Sequence, residues 1–416
     1  MTASAAYSAR LAPGRSLPAL RVVPPYLSTA LSAADQSVRL ALFSDSLENT
    51  DGVASSCRRF LARSLRRGST VRVPYCGTLP MYAAEHAPEV FARLPCAASY
   101  PAPFYASMRF YRPSLRATVD WLLRERITHV ELATPGPMGV VGMLAAKLLG
   151  LHVTASYHTE VPALLRQLSD SPLLGLASRK YVAWFYGAAD RVFVFSAASR
   201  EKLIQLGVPP ALLSLMPVTI EPSEFSPAFA SERVFARLGV ATGGRPVVLS
   251  VGRLSPEKNL PLIVDAVERL QDGPRAPVLV IVGDGPERAR LEQMHKPFVH
   301  LVGVQHGRSL RELYASADAF VFASCIDTLG LVAMEAMSSG APVLVPRETG
   351  ISELIEDGVS GLCYALEAPA LASSLRALLA CPERRARLAR NGRRVMVRRW
   401  QGASFDQMWH AMVGAR

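Results

Sequence analysis

Two acids eight positions apart, Asp327 and Glu335, flank a glycine in the segment Asp327-Thr-Leu-Gly-Leu-Val-Ala-Met-Glu335. The apolar run at 319–324 reads as a strand, and the residues after it read as a loop and then a helix, with Thr328 as its N-cap. In that arrangement the amides of Leu329, Gly330, Leu331 and Val332 are unpaired at the positive end of a helix. Such an end is an anion site, and the glycine lets a phosphate come close to the backbone. Asp327 then stands on the loop beside the phosphate. Glu335 lies about six residues into the helix, about 9 Å along its axis. Carboxylates so placed bracket a nucleotide-sugar, one taking hydroxyls of the sugar and the other those of the ribose. The competing reading makes Asp327 a helix cap and Glu335 a solvated surface acid.

Further candidates lie upstream. The run at 246–251 leads into Gly252-Arg253-Leu-Ser-Pro-Glu-Lys258-Asn259, a glycine turn followed by two cations. The planar fork of Arg253 and the point charge of Lys258 suit a departing diphosphate, although loop cations are more often simply solvated. Val282-Gly283-Asp284-Gly285-Pro286 lacks the third glycine of a dinucleotide fingerprint and reads as tight packing beside a base pocket. Gly303, in the next apolar run, is placed on the same side. In the first half, Asn49-Thr50-Asp51-Gly52-Val53 precedes a helix at 54–66, so Gly52 can bring an amide to the opposite face of the same diphosphate. His158 ends another strand and is either catalytic or structural. Two basic, aromatic-bearing segments remain: the helix with Arg58, Arg59, Arg63, Arg66 and Arg67, and residues 104–112 with Arg109 and Arg112. Each fits an anionic bilayer, a charged acceptor or a solvated face.

These residues need elements to hold them. Apolar runs at 38–43, 70–73, 129–132, 152–157 and 191–196 alternate with helical stretches, and a second series begins at 246–251, 278–283, 299–304, 319–324 and 341–346. This is the pattern of parallel sheets covered on both faces, and ligands there sit beyond the carboxyl ends of the strands. The expected organisation is an extension at 1–35, a Rossmann-like domain at 36–216, a proline-bearing linker at 217–227, a second Rossmann-like domain at 228–395 and a final helix at 396–416. With 416 residues, half of them hydrophobic, the chain can bury two cores. The net charge of +12 is concentrated in the first half, where residues 1–227 carry 23 Lys and Arg against 15 Asp and Glu. Six scattered cysteines without a Cys-x-x-Cys pair argue for reduced thiols and against a zinc module. No apolar run reaches the roughly 18 residues of a membrane span, so membrane contact is expected to be peripheral.

Taken together, residues 38–416 resemble family 4 of the retaining glycosyltransferases, with the two-domain α/β architecture called GT-B. The resemblance rests, in chain order, on Asp51-Gly52-Val53, Ala133-Thr-Pro-Gly-Pro-Met-Gly139, Ser156-Tyr-His-Thr159, the Val251 to Asn259 segment, Val282-Gly-Asp-Gly-Pro286, the Asp327 to Glu335 segment and Ser339-Gly-Ala-Pro-Val343. It implies that Arg253 and Lys258 hold the donor diphosphate, Glu335 the ribose and Asp327 the sugar. It also implies that Gly52 meets a phosphate, that His158 lies beside the transferred sugar, and that the stretch around Trp400 crosses back to the first domain. Two departures stand out: the first acid is Asp327 where the family usually has Glu, and the linker reads Pro217-Val-Thr-Ile-Glu221. The segments around Ser156 and Asp327 look closest to lipid mannosyltransferases and sulfolipid synthases. The implied reaction is transfer of a hexose, from GDP-mannose in preference to a UDP-hexose, to a lipid or envelope-glycan acceptor. No metal or other cofactor and no nucleic acid partner is expected, and the expected location is cytoplasmic, at the inner face of the membrane. Two rival functions are a nucleotide-sugar epimerase or hydrolase of the same fold and a non-catalytic donor-binding partner.

Overall fold

The computed structural model describes residues 38–47, 52–78, 88–102, 105–169, 171–216, 220–273, 276–324, 326–328, 330–402 and 405–413. The expected extension, Asn49 to Asp51 and Leu329 lie outside them.

The first sheet contains β1 (Arg39–Phe43), β2 (Thr70–Tyr75), β3 (Phe91–Arg93), β6 (His129–Leu132), β7 (His152–Ser156), β8 (Arg191–Val194) and β9 (Leu213–Leu215), ordered β3-β2-β1-β6-β7-β8-β9 with every pair parallel. A separate antiparallel hairpin, β4 (Cys96–Ala102) and β5 (Tyr105–Pro113), leaves its edge. The second sheet contains β10 (Val247–Val251), β11 (Val278–Val282), β12 (Val299–Leu301), β13 (Ala319–Val321), β14 (Val343–Pro346) and β15 (Leu362–Tyr364), ordered β12-β11-β10-β13-β14-β15 and again all parallel. Residues of β6, β11, β13 and β14 are buried without alternation, because helices cover both faces.

Strand order reverses between β1 and β6 in one sheet and between β10 and β13 in the other. A crevice opens beyond the carboxyl ends of the strands at such reversals. The loops after β1, β6, β10 and β13 therefore occupy the positions where a ligand would bind.

The helix Gly52–Arg66 joins the two halves. Its Phe60 stacks on Trp409 of the last helix, Phe405–Val413, with ring centroids 6.2 Å apart, and the Arg63 guanidinium lies 4.4 Å from the Trp400 ring centroid. Phe60 and Leu61 share one apolar cluster with Ile220 and Phe225 of the connecting segment and with Met334 and Met337 of the second half. Full burial of a side chain of this size contributes about 1.5–3 kcal/mol, so this contact is a substantial tie between the halves.

For Arg59 and Arg63 that packing corrects the reading of this helix as a bilayer-facing or solvated basic surface. Arg59 pairs with Glu224 at 3.4 Å and with Glu335, and Arg66 approaches Glu221 at 3.9 Å. Arg59 and Arg63 thus face the connecting segment and the last helices, whereas Arg58 lines the cavity and Arg66 and Arg67 are exposed. Residues 105–112 of the second basic segment lie in the strand Tyr105–Pro113, whose Phe110 and Arg112 line a cavity.

Candidate active site

One cavity of about 840 Å3 lies between the sheets, within the size range of small-molecule sites. Gly52, His158, Arg253, Lys258, Gly283, Asp327, Gly330, Leu331, Val332 and Glu335 all line it. The structure thus brings the candidates from both halves to one place. Gly303 is not among the lining residues. Its carbonyl accepts from the Gly283 amide at 2.9 Å, and the neighbours Val304, Gln305 and His306 face the cavity instead.

The helix carrying Glu335 begins later than expected. Gly330, in the left-handed region at φ 70° and ψ 51°, is the N-cap of Leu331–Ser338, and Thr328 is not. The Thr328 hydroxyl instead donates to the His158 carbonyl at 2.9 Å, and an isolated bridge joins Thr159 to Asp327. These contacts tie the loop after β7 to the loop after β13. Glu335 is now the fifth helical residue, about 6 Å along the axis from Leu331 rather than 9 Å. Gly52 opens the opposing helix, and a Cβ built on it would lie 3.7 Å from Leu331 Cδ1. Two helix N-termini therefore converge on one gap, and their first-turn amides and dipoles favour an anion between them.

Three loops of the second half pack backbone against backbone to present the cations. Gly252 donates its amide to the Val282 carbonyl at 3.0 Å, and Leu254 donates to the Asp284 carbonyl at 3.0 Å. A Cβ on Gly283, whose φ is +136°, would sit 1.8 Å from the Gly252 carbonyl oxygen, so only glycine allows this approach. Lys258 ends a short turn, Pro256–Lys258, which Asn259 anchors by donating Nδ2–H to the Ala323 carbonyl at 2.9 Å. From there Lys258 Nζ donates to Asp327 Oδ2 at 2.5 Å, both side chains being partly exposed.

Glu335 is 6 % exposed and held from two sides. The Arg59 guanidinium bonds Oε1, and the Tyr314 hydroxyl donates to Oε2 at 2.9 Å. Burial, followed by the neighbouring Glu335 charge, drives the Tyr314 phenol far above its ordinary value, so it remains a neutral donor. The His158 ring stacks on Phe195 with centroids 4.8 Å apart, and burial lowers its pKa to about 4. At neutral pH it is an uncharged imidazole and brings no positive charge to the cavity.

Sequence reasoning missed Asp45, just beyond β1. Its Oδ2 accepts from the Thr134 hydroxyl at 2.6 Å and its Oδ1 from the Met138 amide at 2.9 Å, while burial outweighs these bonds and raises its pKa to about 6. Its place at the end of a strand beside a strand-order reversal was the available signal. Also missed was the apolar wall of Phe110, Val161, Leu164, Leu165 and Tyr181 on the first-sheet side. The end of the cavity at the two helix N-termini carries charges of both signs, Arg253 and Lys258 with Asp327 and Glu335, and the first-sheet side is walled largely by apolar residues.

Comparison with known proteins agrees with this arrangement. Residues 50–224 match the family described as Glycosyltransferase Family 4, and residues 237–395 match Glycosyl transferases group 1. A sulfoquinovosyl transferase of Arabidopsis thaliana is 32 % identical over 67 % of this chain and 54 % of its own length. A GDP-mannose-dependent alpha-mannosyltransferase of Mycobacterium tuberculosis is 36 % identical over 56 % of this chain and 59 % of its own. The chain thus spans just over half the length of these two relatives. A GDP-mannose-dependent alpha-mannosyltransferase of Mycolicibacterium smegmatis is 32 % identical over 69 % of this chain and 74 % of its own. The fold matches that of HepE from Anabaena in complex with UDP and glucose, with a TM-score of 0.72 and 18 % identity over 91 % of this chain and all of that one. From the two matched regions, the convergent helix termini and the paired parallel sheets together, the chain belongs to the GT-B glycosyltransferases built from a Family 4 region followed by a group 1 region.

Proposed function

We propose that this protein is a retaining, metal-independent hexosyltransferase that uses a nucleoside-diphosphate sugar, GDP-mannose in preference to a UDP-hexose, and an acceptor that is a lipid or envelope glycan. Residues 36–216 supply the acceptor side, 217–227 the linker, 228–395 the donor side and 396–416 the return to the first half. The observation that carries the reading is the convergence of two helix N-termini, at Gly52 and Leu331, beside the Lys258–Asp327 pair.

In this reading the diphosphate occupies the gap between the helices. Lys258 and Arg253 neutralise it, and Lys258 exchanges Asp327 for a phosphate oxygen. Asp327 then takes hydroxyls of the sugar, Glu335 those of the ribose, and neutral His158 completes the sugar's hydrogen bonding. The bond from the anomeric carbon to the diphosphate oxygen breaks as the acceptor hydroxyl attacks the same face. The departing phosphate oxygen receives the hydroxyl proton, which yields retention without a protein base.

The apolar wall supports a lipid acceptor. Tyr181 on that wall belongs to the helix Pro172–Gly187, which also exposes Leu173, Leu176 and Trp184, carries Arg179 and Lys180, and has no acid. That composition supports peripheral contact with the anionic inner face of a membrane. Among the described residues, no helix is long and apolar enough to cross one. The mannosyltransferase relatives support the donor preference.

The test is turnover of GDP-mannose and UDP-glucose with detergent-dispersed diacylglycerol and polyprenyl phosphate acceptors, with and without chelator, reading the product anomer by NMR. An α-linked product in chelator is expected. Donor consumption that ignores the acceptor points to a hydrolase or epimerase, and nucleotide binding without turnover points to a non-catalytic partner.

A further inference from the structure

We infer that Arg59 is a positioning residue that makes recognition of the donor's ribose conditional on closure of the two halves. The inference rests on the reading of Glu335 as the ribose ligand. Arg59 does not line the cavity and Glu335 does, so the arginine acts from behind the acid. Its Nη2 bonds Glu335 Oε1, its Nε lies 3.4 Å from Glu224, and its guanidinium carbon lies 5.7 Å from the Phe225 ring centroid. Its Nη1 has no hydrogen-bond partner among the described residues. The two acids are therefore what hold this guanidinium in place.

Tyr314 completes the arrangement by donating to Oε2. Each oxygen of a carboxylate accepts more than one hydrogen bond. With Arg59 on one oxygen and Tyr314 on the other, the remaining acceptor positions match two vicinal hydroxyls. An acid this buried also needs a countercharge. The cation that supplies it comes from the opposite half of the protein.

The two partners sit on the two helices whose N-termini converge. Arg59 rides on Gly52–Arg66 and Glu335 on Leu331–Ser338. Any separation of the halves that opens the phosphate gap also pulls Arg59 from Glu335. The helix pair thus grips the donor at two levels, diphosphate at the tips and ribose one turn deeper, and both form together.

The probe is UDP or GDP, whichever binds the wild type more tightly, compared with its 2′,3′-dideoxy analogue by calorimetry. The wild type should prefer the ribonucleotide by about 30-fold, as expected for hydroxyls bonded to a charged acceptor. Arg59→Met should reduce that preference below about 3-fold while leaving affinity for the dideoxy analogue within about 3-fold of wild type, since truncation removes orientation rather than the phosphate site. Arg59→Lys, which keeps the charge without the fork, should fall between them. A merely structural role would weaken both ligands equally. Should Arg59→Met fail to fold, Arg59→Lys decides alone. Full ribonucleotide preference in Arg59→Met, or in Arg59→Lys if that variant decides, overturns the inference. A wild type without preference, or Glu335→Gln with undiminished preference, overturns the ribose reading of Glu335 itself.

Discussion

Gly52→Ala separates ligand contact from fold where the two helix N-termini face each other. Gly52 is the first residue of its helix and its φ lies outside the left-handed region; an added Cβ meets only Leu331 Cδ1, at 3.7 Å, an ordinary contact. The substitution therefore costs no strain, and by restricting the unfolded chain it stabilises the fold by about 0.4–1 kcal/mol. The melting midpoint should stay level or rise by up to about 3 °C. The methyl projects into the gap assigned to the diphosphate and keeps a phosphate oxygen from reaching hydrogen-bond distance of the amide. Loss of one hydrogen bond to a charged group costs about 1.5–3 kcal/mol, which is about 10- to 150-fold in kcat/KM. The assay is steady-state turnover over donor concentration, with thermal melts on the same samples. Turnover within about threefold of wild type would remove Gly52 from the phosphate site, and a lower melting midpoint would show that the backbone there does not tolerate a side chain.

Gly283→Ala should do the reverse: its Cβ would meet the Gly252 carbonyl oxygen at 1.8 Å, so chemical denaturation should show a loss of more than about 2 kcal/mol together with weaker nucleotide binding. Burial raises the pKa of Glu131 from the ordinary 4.5 to about 6, against the hydroxyls of Ser156 and Thr154 that favour its ionised form. The advantage of its neutral form is complete below about pH 4.5 and lost as pH rises through about 6. Relative to wild type, Glu131→Gln should therefore gain about 2 kcal/mol at about pH 7.5 and nothing near about pH 4, measured by urea unfolding at both. Lys258→Met should lower kcat by about 10²- to 10³-fold if the lysine stabilises the departing diphosphate, and an unchanged kcat would remove it from that role.

The strands most legible in the sequence are those buried on both faces. β11 reads as an unbroken apolar run, whereas β6, His-Val-Glu-Leu, is buried throughout although two of its four residues are polar; the bounds of both fall within one residue of expectation. β3, β9 and β15 are three residues long and, unlike the equally short β12 and β13, fall outside the apolar runs that mark strands in the sequence; they form because a neighbouring strand offers a parallel ladder. The hairpin strand β4 is exposed at most positions, so it carries no hydrophobic alternation to detect. Thr328 has the residue type of a cap, yet its hydroxyl finds a better-placed acceptor across the cleft, and the left-handed Gly330 takes the capping position. The role of the arginines in Gly52–Arg66 is illegible locally because a helical stripe of like charges has no partner within its own helix. Their acids, Glu221 and Glu224, come from the connecting segment, and Glu335 comes from the second half.

The two acids that frame the cavity differ in how free they are to meet a ligand. Asp327 is paired to Lys258 at the cavity surface, and the proposed function gives that lysine a second partner, the diphosphate. In the proposed function a diphosphate draws Lys258 away from the carboxylate, and sugar hydroxyls rather than a second cation take its place on Asp327. On that reading, arrival of the phosphate releases Asp327 for the sugar, and a bare nucleoside does not produce that release. Glu335 has no such exchange, because its partners Arg59 and Tyr314 are held by Phe225, Glu224 and the surrounding core. It presents a fixed acceptor. In the proposed function, one acid is therefore set by the fold and the other by the ligand, and the sugar's orientation follows the leaving group.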